Sequence, residues 1–176
     1  MPYDPSRHHR RSIRLPGYDY GRPGAYFVTI VTQHRVPVMG QIVDGVMVLS
    51  PIGRIVEACW KRLPTHFARV TLDAFVVMPD HLHALLILEQ METAAPVQTD
   101  GKIRGTRPES LAAIIQNFKA VSTRRVNQDR GTAGARFWQR NYYERIVAHT
   151  NAFQRVRRYI IENPRRAARL SDGSNG

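Results

Sequence analysis

A chain of 176 residues is long enough for one domain with a sizeable core and too short for two comfortable ones. With 43% hydrophobic residues it should fold, which excludes a disordered chain, and a net charge of +12 would repel itself without an anionic partner, which puts nucleic acid first among partner classes. The single cysteine excludes an intramolecular disulfide and a Cys-based zinc site, and no apolar stretch is long enough for a signal peptide or a membrane span, so a soluble, cytoplasmic protein is expected.

Residues 1–24 are rich in Arg, Pro, Gly and Tyr and read as a basic N-terminal arm. Tyr26 to Thr32 alternates β-branched and aromatic residues and reads as a strand. Gln41 to Leu49 holds Asp44-Gly45 between two apolar runs, the signal of a tight hairpin. Ser50-Pro51 supplies an N-cap and a first-turn proline. Ile52, Ile55, Val56, Cys59, Trp60 and Leu63 then follow at helical spacing, which makes Cys59 a buried thiol on an apolar face. Leu72 to Val77 reads as a strand that Met78-Pro79-Asp80 interrupts. His81 to Leu88 is a strand apolar on both faces, as a central, covered position requires.

Residues 90–105 have no period and read as a flexible loop. Thr106 with Glu109 fits a capping box for a helix whose apolar stripe is Leu111, Ile114, Ile115 and Phe118. Phe137 to Val147 reads as extended. Asn151 with Gln154 would cap a last helix, which Pro164 should end near Asn163. A domain over 25–165 with a short polar tail at 166–176 follows. The element order matches an α+β, ferredoxin-like plan (split βαβ): an antiparallel sheet with helices packed on it, and an added C-terminal helix.

His81 and His83 stand two apart on a strand, so both imidazoles point to one face while Leu82 points into the core. Two nitrogens on one face can grip one divalent ion. The ordinary alternative is a pair of hydrogen-bonded core histidines. Against it, ionisable side chains beside Leu85 and Ile87 cost free energy unless something uses them. Two histidines leave coordination positions open for an oxygen donor and a substrate phosphate, which favours Mg²⁺ or Mn²⁺ over a closed zinc site.

On the last helix, Tyr159 and Asn163 are four apart and share a face. Tyr159 is a candidate nucleophile and Asn163 a candidate oxygen ligand. Arg155, Arg157, Arg158, Arg165, Arg166 and Arg169 crowd this segment and would favour a phenolate and hold a phosphate backbone. An ordinary amphipathic helix with solvated arginines is the alternative. Tyr142 and Tyr143 compete as nucleophiles, but they lie in an extended segment without a carboxamide at helical spacing, so a structural or base-stacking role suits them better.

Five segments together resemble the HUH single-tyrosine transposases, and among them the REP-associated tyrosine transposases. They are YFVTIVT at 26–32, VVMPDHLHALL at 76–86, SLAAIIQNFKAVSTRRVN at 110–127, FWQRNYYERIV at 137–147 and YIIENP at 159–164. The resemblance spans nearly the whole chain, and the order of the motifs carries it. It implies an HUH catalytic domain with metal ligands His81, His83 and Asn163 and nucleophile Tyr159, where some relatives have glutamine at the position of Asn163. It further implies single-stranded, hairpin-containing DNA as substrate, a 5′-phosphotyrosine intermediate, and a monomer or homodimer. Expected DNA contacts are Arg10, Arg11 and Arg14 in the arm, Lys119, Arg124 and Arg125 on the middle helix, and Arg155 and Arg158 on the last. The competing expectations are a catalytically silent hairpin-DNA-binding protein on this fold, a replication initiator or relaxase, and an RNA-binding ferredoxin-like domain.

Overall fold

In the computed structural model, residues 21–90 and 108–172 are described. The arm with Arg10, Arg11 and Arg14, nearly all of the 90–105 loop, and Thr106 lie outside them. Strand β1 spans Gly24–Val31, and the hairpin strands β2 and β3 span Gly40–Val43 and Val46–Leu49. Helices α1 (Pro51–Lys61) and α2 (Leu63–His66) lead to β4 (Val70–Val77) and β5 (His81–Leu88). Helix α3 (Leu111–Arg130), β6 (Tyr143–Val147) and α4 (Thr150–Asp172) complete the chain. The main sheet has strand order β4-β5-β1-β6, with every neighbouring pair antiparallel. This is the ferredoxin-like order, in which the first and third of its strands lie centrally.

Alternation along the central strands divides the molecule into two layers. Tyr26, Val28 and Ile30 of β1 and Leu82, Ala84 and Leu86 of β5 face α1 and α3, where Trp60 and Phe118 meet edge to face at 5.0 Å. Phe27, Leu85 and Val147 face the opposite way, against Phe153, Val156 and Ile160 of α4. The expected hairpin forms, with Asp44 (φ 49°) and Gly45 (φ 73°) both in the left-handed region that such a two-residue turn requires. Ser50 caps α1 as its sequence implies, its hydroxyl accepting from the Gly53 amide at 3.1 Å, and the Cys59 thiol is buried, its pKa raised chiefly by that burial.

Four boundaries differ from the sequence expectations. Helix α3 is capped not by a Thr106–Glu109 box but by Ser110, whose hydroxyl accepts from the Ala113 amide, while Glu109 sits at φ 56°. The segment expected to be extended from Phe137 is divided: Phe137 to Gln139 bridges antiparallel to the end of β1 through Trp138 and Thr32, and the strand β6 begins only at Tyr143. Helix α4 starts at Thr150, so Asn151 lies inside it, and the Phe153 amide bonds to the His149 carbonyl. Nor does Pro164 stop α4, which runs through to Asp172, so the tail expected from 166 is helical up to that residue. An interior proline costs about 3 kcal/mol. Packing offsets it here: Asn163 and Pro164 are buried, and the β2–β3 turn lies against Arg165 just beyond them.

At Gly53, α1 crosses close to the backbone at Met39. A Cβ there would meet the Met39 carbonyl oxygen at 2.0 Å, a backbone atom that cannot swing aside. Gly53→Ala should therefore destabilise the fold by about 1–3 kcal/mol despite alanine's better helix propensity. A thermal melt that shows no loss would mean that α1 sits farther from the 39–40 backbone.

Candidate functional site

The face of the sheet under α4 gathers the candidate chemistry. His83 pairs in register with Thr29, and Thr29 with Tyr143, so these three lie in one row across β5, β1 and β6. Their side chains share a face, because directly opposed residues in an antiparallel pair do. His81 lies two residues before His83 on the same face, and the two Nε2 atoms are 3.1 Å apart. Each ring is held from behind. The Asp80 carboxylate accepts from His81 Nδ1 at 2.5 Å, and Thr29 Oγ1 lies 2.8 Å from His83 Nδ1. A carboxylate only accepts, so Nδ1 of His81 is the donor and Nε2 is the nitrogen presented to the site.

Asp80 is itself fixed from three sides. Arg35 pairs with its other oxygen at 3.0 Å, and the Thr32 amide and hydroxyl both donate to its backbone carbonyl at 2.9 Å. Arg35 and its neighbour His34 both adopt left-handed φ of 56°, a strained backbone for non-glycine residues.

Helix α4 brings Tyr159 over the pair. Its hydroxyl is 3.4 Å from His83 Nε2, and its ring meets His83 at 5.3 Å and Phe27 at 6.1 Å. Tyr159 is 37% exposed, so this part of the face is open to solvent. Arg166 lies 5.8 Å over the ring and also pairs with Glu162. Arg157 fastens the helix to β4 through Asp73 at 3.0 Å, next to the register shift between Leu72 and Phe75. Asn163 lies one turn beyond Tyr159 and is 8% exposed, with no hydrogen bond to either histidine.

His83 is held neutral. Burial first, and then the neighbouring His81, push its pKa down to about 3, against the opposing pull of Asp80. The folded state therefore refuses a proton that the unfolded chain accepts near 6.5. Stability from this residue is complete above that value and falls as acid is added, until the folded form also titrates near 3. A chelator-treated sample should lose more stability between pH 7 and about pH 4 than His83→Gln does; equal losses would place the acid sensitivity elsewhere.

The donor set fits a divalent ion. Two ligands held at about 2.0–2.1 Å from one ion, at octahedral to tetrahedral angles, lie about 2.8–3.4 Å apart, which brackets the Nε2 separation. Carboxylate or hydroxyl partners behind ligating imidazoles orient them for that role. Among the described residues no three His, Cys, Asp or Glu side chains form a metal cluster, so a third protein donor would have to be of another type.

The structure therefore brings together His81, His83 and Tyr159, and places Asn163 on the same helix as the tyrosine. Arg155 and Arg158 are exposed on α4 and Arg124 on α3. Lys119 is engaged otherwise, its ammonium donating to the Gln139 and Arg140 carbonyls at 2.6 and 2.9 Å, and Arg125 reaches the Cys59 thiol. Sequence reasoning missed Thr29, Asp80 and Arg35. Asp80 had a signal, since it directly precedes the first histidine, whereas Thr29 is revealed only by strand register.

The chain thus combines a ferredoxin-like sheet, a His-x-His pair on one of its central strands and a tyrosine presented above that pair by the C-terminal helix. The chain is 36% identical over 168 residues, 92% of either sequence, to an uncharacterized protein of Haemophilus influenzae strain Rd, and it belongs to the same family. Its fold is that of a REP-associated tyrosine transposase solved bound to a REP hairpin, with a TM-score of 0.59 over 90% of this chain and 74% of the other, at 14% identity. A structure from Deinococcus radiodurans R1 overlays more loosely, at a TM-score of 0.47 and 18% identity over 86% of this chain and 96% of the other, and adds nothing to the assignment. No family model matches the chain. Among the described residues no helix is long and apolar enough to cross a membrane.

Proposed function

We propose that this protein is a metal-dependent DNA endonuclease and strand transferase of the transposase type, acting on single-stranded, hairpin-containing DNA through a 5′-phosphotyrosine. The observation that carries the reading is the convergence of three groups. Two Nε2 atoms 3.1 Å apart and a phenol oxygen 3.4 Å from one of them meet at an accessible face. A buried pair serving only the core would not need a half-exposed tyrosine over it.

His81, His83 and Asn163 would hold Mg²⁺ or Mn²⁺, which would draw off the charge that builds on the scissile phosphate. Phe27 and the α4 packing fix the Tyr159 ring, so its oxygen is pre-positioned for in-line attack on phosphorus. The Tyr159 O–P bond forms, the phenol proton passes to solvent and the P–O3′ bond breaks. The departing oxygen takes up a proton and becomes a free 3′-OH. Attack by a 3′-OH on the phosphotyrosine reverses these steps, so the bond energy is retained and no nucleotide cofactor is needed. Tyr143, 42% exposed and edge-on to Phe27 at 6.1 Å, would stack the base next to the scissile phosphate. Arg155 and Arg158 would hold the backbone.

The test is a denaturing gel of the protein incubated with labelled single-stranded DNA bearing a hairpin from the flanks of its own gene, with Mg²⁺ or Mn²⁺. A shifted, protease-sensitive band supports the reading. Tight binding without such a band contradicts it and leaves a silent hairpin-binding protein. Asp80 acts as a positioning residue in this account. Asp80→Asn should weaken Mn²⁺ affinity by about 10–100-fold, and saturating Mn²⁺ should restore much of the adduct rate. A rate that stays low at saturation would argue against this indirect role.

A further inference from the structure

The α4 face of the sheet accounts for only part of the positive charge. On the opposite side, an open groove of about 1110 Å³ runs between the C-terminal half of α3 and residues 131–140. Its described lining includes Lys119, Arg124, Arg136 and Arg140 and no carboxylate, with Asn127 and Gln139 among its amides. The two walls are tied together. Lys119 bridges to the Gln139 and Arg140 carbonyls, Asn127 Nδ2 donates to the Ala135 carbonyl at 2.8 Å, and Trp138 Nε1 donates to Ser122 Oγ at 2.9 Å. The groove is thus preformed, and Lys119 serves as its tether. Arg124, Arg136 and Arg140 are exposed, and none pairs with an acid among the described residues.

We propose that this groove is a second DNA-binding surface, separate from the histidine site, that grips the backbone of a few nucleotides of single-stranded DNA. The inference rests on the reading of the protein as a DNA-processing enzyme. Three guanidiniums with no acid partner among the described residues, spread along a channel of this volume, match a run of phosphates better than one small anion. A concave channel suits one flexible strand, whereas a rigid duplex would rest on its rim. Phe137 and Trp138 are buried beneath it, so among its described lining no ring is offered for stacking and the grip is sequence-tolerant. One wall of the groove is anchored to the end of the sheet that carries the histidines. The Gln139 amide bonds to the Val31 carbonyl at 2.9 Å, and Val31 pairs with His81. A strand leaving the groove and turning that end reaches the histidine pair on the other face.

The experiment uses the full chain in a Tyr159→Phe background, so that cleavage plays no part. Binding of a fluorescein-labelled (dT)30 is followed by anisotropy across a salt series. Arg124→Gln/Arg136→Gln/Arg140→Gln should weaken binding at least tenfold and flatten the log–log salt slope by about 2, given about 0.7 per single-strand phosphate contact. A control that removes equal charge elsewhere, Arg54→Gln/Arg62→Gln/Arg69→Gln, should shift affinity less than threefold. An unchanged slope in the groove variant, or an equal drop in the control, overturns the proposal. Should the wild type form no covalent adduct while the groove variant still loses its slope, the nicking reading falls and the groove stands.

Discussion

Tyr159→Phe should leave a folded protein that binds hairpin DNA and forms no covalent adduct. The substitution removes one oxygen from a ring whose other contacts, with Phe27 and His83, stay in place. The lost hydroxyl makes a single long contact, to His83 Nε2 at 3.4 Å, so stability should change by no more than about 0.5 kcal/mol. Removing a nucleophile, by contrast, costs on the order of 10³-fold or more in rate. Wild type and variant run side by side on a denaturing gel, with matched melting curves, make the comparison. An adduct that persists in the variant would move the nucleophile to another tyrosine, Tyr143 first, since it shares the sheet face with His83.

His81→Ala and His83→Ala should each lower Mn²⁺ affinity and adduct rate by at least about 100-fold, but they should differ in stability. Outer partners of metal-bound histidines are worth 10–100-fold, and a ligand itself is worth no less. The His81 side chain is partly exposed and its loss frees an Asp80 carboxylate that Arg35 still pairs, so the fold should tolerate it. His83 is buried against Phe27 and Thr29, so its truncation leaves a cavity and an unpartnered hydroxyl and should cost about 1–3 kcal/mol. Calorimetric Mn²⁺ titration beside thermal melts separates the two effects. Undiminished Mn²⁺ binding in both variants would remove the metal from the account.

The local rules read the central fold well. Period-two alternation located β1, a continuous apolar run after Met78-Pro79-Asp80 located β5, Asp44-Gly45 located the hairpin, and Ser50-Pro51 located the start of α1, because each is decided within a few neighbouring residues. Strand parity alone put His81 and His83 on one face, and β5 is covered on both sides as its apolar composition requires. What failed were the places where tertiary contacts overrule local preference. Pro164 looked like a stop, yet burial of Asn163 and Pro164 and the hairpin turn at Arg165 carry α4 past it. Phe137 to Gln139 is extended, as read, but it bridges to the end of β1 and is not part of β6, a pairing no local signal gives. Lys119 and Arg124 read alike in sequence. Only the folded loop shows that one is a tether and the other is exposed. The second layer of the site was illegible for the same reason: Thr29 lies 54 residues from His83 and meets it only through strand pairing.

The most direct measurement is to locate the bond itself. Wild-type protein would be reacted with hairpin-bearing single-stranded DNA and Mn²⁺, treated with nuclease, digested with trypsin and examined by mass spectrometry. Trypsin releases Tyr159 to Arg165, a peptide with one tyrosine, and separately Asn141 to Arg145, which holds Tyr142 and Tyr143. A 5′-linked nucleotide is expected on the first peptide alone, and on no peptide of Tyr159→Phe. A nucleotide on the second peptide, or on neither while the DNA stays whole, would contradict that expectation.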